Sequence, residues 1–222
     1  MEKEIEIVEK YFTINGEAPF SGCPVFLIRF SSCNLDCLYC DTKYRKEVNE
    51  RPSLYELEKE IRSIVDDYPG ILVLLTGGEP LLNERRALVI ELVKNNPGIK
   101  FCVETNGSID IRGLQFPNCF LVLDWKTPSS GFKNSFIEKN LDFMIPGKDC
   151  IKFVAASSDF SFVKKRIMKI KKTNPSIKTY ISPQWGNVSL EELSNFILKN
   201  KLDVSLSLQY HKIIWGASKR GV

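Results

Sequence analysis

The sequence predicts an α/β fold, a partial (β/α) barrel of about six parallel strands with reduced or irregular helices. Three observations predict it. Short apolar runs alternate with amphipathic segments, as parallel βαβ units require. The residues able to do chemistry follow the C-terminal ends of those runs, the face on which a (β/α) barrel builds its site. The 222 residues fall short of the ~250 typical of eight complete βα units. Residues 1–222 read as one domain, with no linker, fixed-period repeat or low-complexity tract.

The elements follow in order. Glu4 to Phe12 reads as a first strand with Ile5, Ile7 and Tyr11 on its apolar positions, and Thr13 to Gly22 as a loop rich in turn residues. Val25–Phe30 is a buried strand. Ser53 caps a helix reaching about Tyr68: Leu54, Leu57, Ile61, Ile64 and Val65 form one stripe, Ser53 and Glu56 fit a capping box, and Pro69-Gly70 ends it. Strands follow at 71–75, 100–104, 120–124, 150–154, 177–181 and 204–208, with helices near 83–94, 159–173 and 189–200. Segment 105–150 carries few helix signals, so a crossover there is short or irregular.

Composition excludes several classes. Hydrophobic residues at 43% and charged residues at 26% are ordinary for a globular protein. No apolar run nears the ~20 residues that span a bilayer, and Met1-Glu-Lys-Glu does not begin a signal peptide, so no membrane partner is expected. The net charge of +4 is too mild to imply nucleic acid. The run Lys164 to Lys172 looks basic, but Val163, Ile167 and Ile170 recur at helical spacing, which makes its lysines a solvated helix face. Seven cysteines without an export signal point to a reducing cytoplasm. Cys23, Cys102, Cys119 and Cys150 are scattered and read as core thiols.

The other three thiols set the chemistry. Cys33, Cys37 and Cys40 lie within eight residues, spaced C-x3-C-x2-C, in the loop that leaves the strand Val25–Phe30. Three thiolates on one loop can converge on a cubane [4Fe–4S] cluster and leave one of its irons without a protein ligand. A zinc site completed by His211, or three buried thiols, is the plainer alternative. A second motif, Thr76-Gly-Gly-Glu79-Pro80, follows the run Leu72–Leu75. Its glycines let backbone polar groups approach a ligand, and Glu79 can accept from an ammonium.

Together the two motifs resemble the radical S-adenosylmethionine superfamily. The resemblance implies that the open iron is chelated by the amino and carboxylate groups of S-adenosylmethionine. It further implies that an electron from the cluster splits the sulfonium and releases a 5′-deoxyadenosyl radical. Further stretches narrow the resemblance: Asn15-Gly16-Glu17, Cys40-Asp41-Thr42, Glu104-Thr-Asn-Gly107, Asp124-Trp-Lys-Thr-Pro-Ser-Ser-Gly131, Lys152-Phe-Val154 and Gln209-Tyr-His-Lys212. Across nearly the whole chain they look like the 7-carboxy-7-deazaguanine synthase family, which contracts the ring of 6-carboxy-5,6,7,8-tetrahydropterin with loss of ammonia on the route to 7-deazapurines such as queuosine and archaeosine. Departures from the common pattern are Asn15 in place of glutamine, Asp124-Trp125 in place of Ser-Pro, and a chain running on beyond Lys212 to Val222.

Position by position, the resemblance implies that Cys33, Cys37 and Cys40 hold the cluster. Tyr39, Asp41, Gly78, Glu79, Asp124, Trp125, Lys126, Ser182, Pro183, Gln184 and Trp185 would line S-adenosylmethionine. Ile14, Asn15, Gly16, Glu17, Arg29 and Thr76 would hold the pterin, and Thr42 would supply a Mg²⁺ ligand; Arg29, Thr42 and Glu17 are the expected catalytic group. It also implies a flavodoxin- or ferredoxin-like electron donor and a homodimer. Arg29 has a plain reading too, a snorkelling arginine or a partner of Glu104, but a guanidinium facing a carboxylate substrate offers a bidentate fork. Thr42 has an equally plain reading as a loop cap. A glycyl-radical-enzyme activating protein shares the cysteine spacing, and a non-catalytic zinc or iron–sulfur module remains the non-enzymatic alternative.

Substituting serine for Cys33, Cys37 or Cys40 should abolish iron and sulfide binding after anaerobic reconstitution, because serine is a poor soft-metal ligand. Cys119→Ser should leave both intact. Iron content near wild type in Cys37→Ser would remove the cluster assignment.

Overall fold

A computed structural model describes residues 4–222. Its sheet runs in the order β1 to β8, each strand beside its sequence neighbour. β1 (Ile7–Ile14) pairs antiparallel with β2 (Pro24–Phe30). From β2 onward every pairing is parallel, through β3 (Leu72–Gly77), β4 (Phe101–Thr105), β5 (Cys119–Asp124), β6 (Cys150–Ala155), β7 (Lys178–Pro183) and a two-residue β8 (Ser205–Leu206). Among the described residues β8 does not pair with β1, so the barrel is partial and open on one side. The first strand thus stands outside the βα alternation. Its connection to β2, residues 15–23, is too short for a parallel crossover, which needs a dozen or more residues.

Helices cover the outer face. α1 (Leu54–Asp67) begins at a complete capping box: the Ser53 hydroxyl accepts from the Glu56 N–H, and the Glu56 carboxylate accepts from the Ser53 N–H at 2.8 Å. Leu57 and Ile61 of its stripe are fully buried. α2 (Arg85–Asn95), α3 (Phe160–Thr173) and α4 (Leu190–Lys199) follow β3, β6 and β7. In α3, Val163, Ile167 and Ile170 enter the core while its basic face stays at the surface, where Arg166 meets Glu138 and Lys171 meets Asp203. No helix among the described residues is long and apolar enough to cross a membrane. A short α5 (Tyr210–Ile214) had no clear signal in the sequence.

Segment 105–150 contains two 3₁₀ turns, at Pro128–Ser130 and Glu138–Phe143, and no α-helix. Buried side chains hold it in place of a helix ladder. Asn140 donates to the Gly107 and Ile109 carbonyls and accepts from the Ile111 N–H. Asp149 accepts from the Leu121 N–H at 3.0 Å and the Ile145 N–H at 2.7 Å. Trp125 stacks on Phe136 at 4.0 Å between ring centroids, and the Arg166 guanidinium lies over the Trp125 ring at 5.0 Å. Cys102, Cys119 and Cys150 are buried as expected, and burial pushes the last two thiols up to about 12. Cys23 is not a core thiol: it sits exposed at the turn before β2, where the strand has not yet entered the sheet.

The two-residue period of the strands sorts the rest. Phe26, Ile28, Val73, Leu75, Phe101 and Val103 pack outward under the helices. Val25, Leu27, Leu72, Leu74, Cys102, Val122 and Cys150 pack inward and close the floor of the barrel. Continuing the inward parity by two residues places polar groups above that floor: Arg29, Thr76, Glu104, Asp124 and Lys152.

Asp149→Ala would leave a buried N–H (Leu121) and a half-buried one (Ile145) unpaired, at a cost of about 2–4 kcal/mol. Urea unfolding should register that loss; a change within ~0.5 kcal/mol, the ordinary range of surface substitutions, would mean that the 105–150 segment is held by packing alone.

Candidate functional site

The polar ring opens into a cavity of about 610 Å³ at the C-terminal ends of the strands. Arg29 stands beside Thr76 in the β2–β3 register, and Asp124 beside Lys152 in the β5–β6 register. These groups are paired with one another or with the loops above. Lys152 forms an ion pair with Glu17, which also accepts from Gln209 Nε2 at 2.9 Å. Burial works against the Glu17 charge, but Lys152 and Gln209 outweigh it and hold the carboxyl well below its ordinary range. Glu104 receives only a long hydrogen bond from Thr76, at 3.5 Å, and burial pushes its carboxyl up against the pull of Lys152.

Arg29 has a different partner from the one the sequence suggested. Its Nε donates to Glu9 at 2.6 Å, because Glu9 is its register partner across β1–β2, whereas Glu104 lies two strands away. The other guanidinium nitrogens make longer contacts, Nη1 to the Thr42 hydroxyl at 3.3 Å and Nη2 to the Tyr11 hydroxyl at 3.5 Å.

The loop after β2 carries the three cysteines along the cavity wall. Its path depends on Gly78, whose backbone lies so close that an added Cβ would stand 1.9 Å from the Ser32 carbonyl oxygen. The Leu35 N–H donates to Cys33 Sγ at 3.4 Å, and Asn106 Nδ2 lies 3.7 Å from the same sulfur. Burial pushes the Cys33 and Cys37 thiols up. Among the described residues, no three His, Cys, Asp or Glu side chains form a ready-made metal site. The donor set of three thiols on one wall still suits an iron–sulfur cluster, since binding soft metal deprotonates thiols and draws them in. His211 packs against Gly16, where an added Cβ would meet its Nδ1 at 2.0 Å.

Two orphaned polar atoms support a further ligand. Asp124 Oδ1 and Gln184 Oε1 are buried on the cavity wall without a partner, and Ser182 Oγ, two residues before Gln184, is likewise buried and unpartnered. Asp124 otherwise holds Lys126 Nζ at 2.8 Å, and Lys126 lies 6.0 Å over the Tyr39 ring. Trp185 is half exposed at the rim, 5.9 Å from Lys212 Nζ, which also pairs with Asp41 at 3.3 Å. Such a set of carboxylate, amide and aromatic groups beside a glycine cradle fits a molecule with ammonium, carboxylate and adenine parts.

Most residues expected at the site line this cavity: Ile14, Asn15, Gly16, Glu17, Arg29, Tyr39, Asp41, Thr42, Thr76, Gly78, Asp124, Lys126, Gln184 and Trp185. Four do not. Trp125 has outward parity and is core, stacked on Phe136. Glu79 is fully buried behind the wall, where it accepts from the Leu81 N–H, the Thr105 hydroxyl and the Asn106 N–H and so builds the 104–106 turn instead of meeting an ammonium. Ser182 and Pro183 lie beneath the rim. The hydroxyl of Thr42 is held between Arg29 and Asp41 Oδ1, each at 3.3 Å, and a guanidinium there disfavours a dication, so these residues alone do not make a magnesium site. Glu104, Asn106, Lys152 and Gln209 lie in stretches that carried the resemblance but were given no place among the expected site residues; strand parity would have placed Glu104 and Lys152 there.

A profile of the Radical SAM superfamily matches residues 27–115. The chain is 41% identical to the 7-carboxy-7-deazaguanine synthase of Clostridium acetobutylicum, across 98% of this chain and 99% of that one. It is 32% identical to the protein of the same name from Koribacter versatilis, across 98% and 100%. The crystal structure of QueE from Escherichia coli shares the fold, with a TM-score of 0.68 over 93% of this chain and 94% of that one at 22% identity.

Gly78→Ala forces backbone against backbone, an overpacking that costs about 1–3 kcal/mol or more. It should displace the cysteine loop and lower reconstituted iron content. Gly98→Ala, with open space around its Cβ, is the control that should change neither. Full iron loading in Gly78→Ala would show that the loop does not depend on this approach.

Proposed function

Because the chain belongs to the 7-carboxy-7-deazaguanine synthase family of radical S-adenosylmethionine enzymes, we propose that it converts 6-carboxy-5,6,7,8-tetrahydropterin to 7-carboxy-7-deazaguanine with ring contraction and loss of ammonia. The observation that carries this reading is the inward ring of Arg29, Thr76, Glu104, Asp124 and Lys152 beside a three-cysteine loop. Cys33, Cys37 and Cys40 hold a [4Fe–4S] cluster. Tyr39, Asp41, Gly78, Asp124, Lys126, Gln184 and Trp185 hold S-adenosylmethionine, with Glu79 and Ser182 supporting them from behind. When bound, cluster and cofactor together supply abstraction of hydrogen from C6 of the pterin.

The chain's own residues do the rest. Arg29 offers its two Nη groups to the substrate carboxylate, since Glu9 already occupies Nε. That contact fixes C6, and the apolar floor beneath it excludes water from the reacting carbon. Glu17, kept ionised by Lys152, accepts from the pterin's N–H edge, with Ile14 to Gly16 as backbone support. Glu104 faces the cavity with Lys152, and we assign it as the group that passes a proton to the leaving nitrogen, with Lys152 stabilising its carboxylate after transfer. Magnesium enters this reading only as an ion whose ligands come mostly from substrate and water, with Thr42 contributing one, and no step is routed through it. A flavodoxin- or ferredoxin-like donor, a homodimer and a cytoplasmic setting complete the proposal.

Anaerobic incubation with S-adenosylmethionine, reductant and carboxytetrahydropterin should yield 7-carboxy-7-deazaguanine by mass analysis. Substrate deuterated at C6 should pass label to 5′-deoxyadenosine. Cofactor cleavage with no new deazapurine would reject the assigned reaction, and product without label transfer would move the initiating abstraction to another carbon.

A further inference from the structure

The segment after α5 returns to the cavity. Ala217 and Val222 line it, and Arg220 reaches the rim beside β1. The Arg220 guanidinium lies 3.7 Å over the Tyr44 ring, pairs with Glu47, and brings its Nε within 3.7 Å of Glu9 Oε2. The other Glu9 oxygen, Oε1, accepts from Arg29 Nε at 2.6 Å and from the Tyr44 hydroxyl at 2.9 Å. One carboxylate is therefore shared between an arginine inside the site and an arginine on the strap that covers it. The base of the strap is tied to the same site through Lys212–Asp41 and Gln209–Glu17.

The sharing has a chemical consequence for Arg29. A guanidinium can receive a carboxylate side-on, through Nε and one Nη, or end-on, through its two Nη groups. Left free, Glu9 could use both oxygens side-on and take Nη2 as well as Nε. Arg220 draws Oε2 the other way, which confines Glu9 to Nε. The end-on fork is left with only the long contacts to Thr42 and Tyr11, at 3.3 and 3.5 Å, which an incoming carboxylate can replace.

We propose that Arg220 and Glu9 are positioning residues that hold the Arg29 fork open, so that closure of the 215–222 strap tunes selectivity for a carboxylated pterin. The proposal rests on the assignment of Arg29 to the substrate carboxylate. It distinguishes the strap from a mere cover: a cover would favour any ligand of the right size, whereas this contact favours only one that bears a carboxylate.

The test measures affinities of 6-carboxypterin and of pterin, which lacks the carboxylate, for the reconstituted enzyme with S-adenosylmethionine bound. Arg220→Ala should weaken 6-carboxypterin about three- to tenfold, the scale of one adjusted charge-assisted contact, and pterin by less than about twofold. Arg220→Lys, which keeps a cation at Glu9 Oε2, should recover most of the loss. In an Arg29→Lys background, Arg220→Ala should have no further effect on 6-carboxypterin. Glu47→Gln, which loosens Arg220 from outside the cavity, should act in the same direction and serves if Arg220→Ala folds poorly. Equal losses for both ligands, or no loss where Arg29→Lys alone weakens 6-carboxypterin, would overturn the positioning role. If Arg29→Lys leaves 6-carboxypterin binding unchanged, the carboxylate assignment itself falls, and the positioning role falls with it.

Discussion

Charges taken inside a sheet must be neutralised there, and the architecture above the barrel floor follows from that requirement. Arg29, Lys126 and Lys152 face inward with Glu17, Glu104 and Asp124, and each cation has a carboxylate in contact or close by. A lone charge at this depth would cost several kcal/mol or shift its titration until it became neutral. The pairing instead recruits loops: residues 15–17 descend to Lys152, and Gln209 follows to reach Glu17. The open edge between β8 and β1 is sewn by the same segments, through Ala18 N–H to Ser207 Oγ at 3.0 Å and Tyr210 N–H to the Gly16 carbonyl at 2.9 Å. The site and the seam of the barrel are therefore one set of contacts.

The same logic explains where the cysteine loop can lie. Glu79 spends its carboxylate on the Leu81 and Asn106 amides and the Thr105 hydroxyl, which fixes the β4 exit; Asn106 in turn reaches Cys33 Sγ and Asn34. Gly77 and Gly78 let that wall approach the backbone of Phe30 to Cys33 closer than any side chain would allow. The glycine motif shapes the thiol loop from behind as much as it lines the cavity.

Legibility from sequence divides along physical lines. Periodicity and caps made α1 and α3 readable, because both depend on residues a few positions apart. Motif matching found Arg29, Thr76 and Asp124 but also admitted Trp125, since a motif does not encode which way a side chain points; strand parity does, and it would have excluded Trp125 and supplied Glu104 and Lys152. The antiparallel sense of β1 was legible in the shortness of the 15–23 connection, whereas the pairing of Arg29 with Glu9, 20 residues away, is carried by no local pattern. The exposure of Cys23 and the return of Arg220 to the rim are likewise products of tertiary folding alone.

Buried ion pairs are poor sources of stability, and well-packed apolar residues in their place are often neutral or stabilising by about 1–4 kcal/mol. The lower layer of this barrel shows that the chain can fill the same interior with Val25, Leu27, Leu72, Leu74 and Val122. Two residues further along the same strands the apolar filling stops and the charged ring begins. Folding does not require that change, since the floor and the helix-covered outer face already bury the apolar core. The ring is better understood as a stability concession at the C-terminal face, where a polar, carboxylate-bearing ligand needs a preorganised and mostly dry set of partners. The uneven hydrogen bonding within it is consistent with that account: Glu17 and Lys152 are tightly paired, whereas the Arg29 fork, Glu104 and the orphaned Asp124 and Gln184 oxygens remain weakly engaged, as groups waiting for a partner from outside the chain must be.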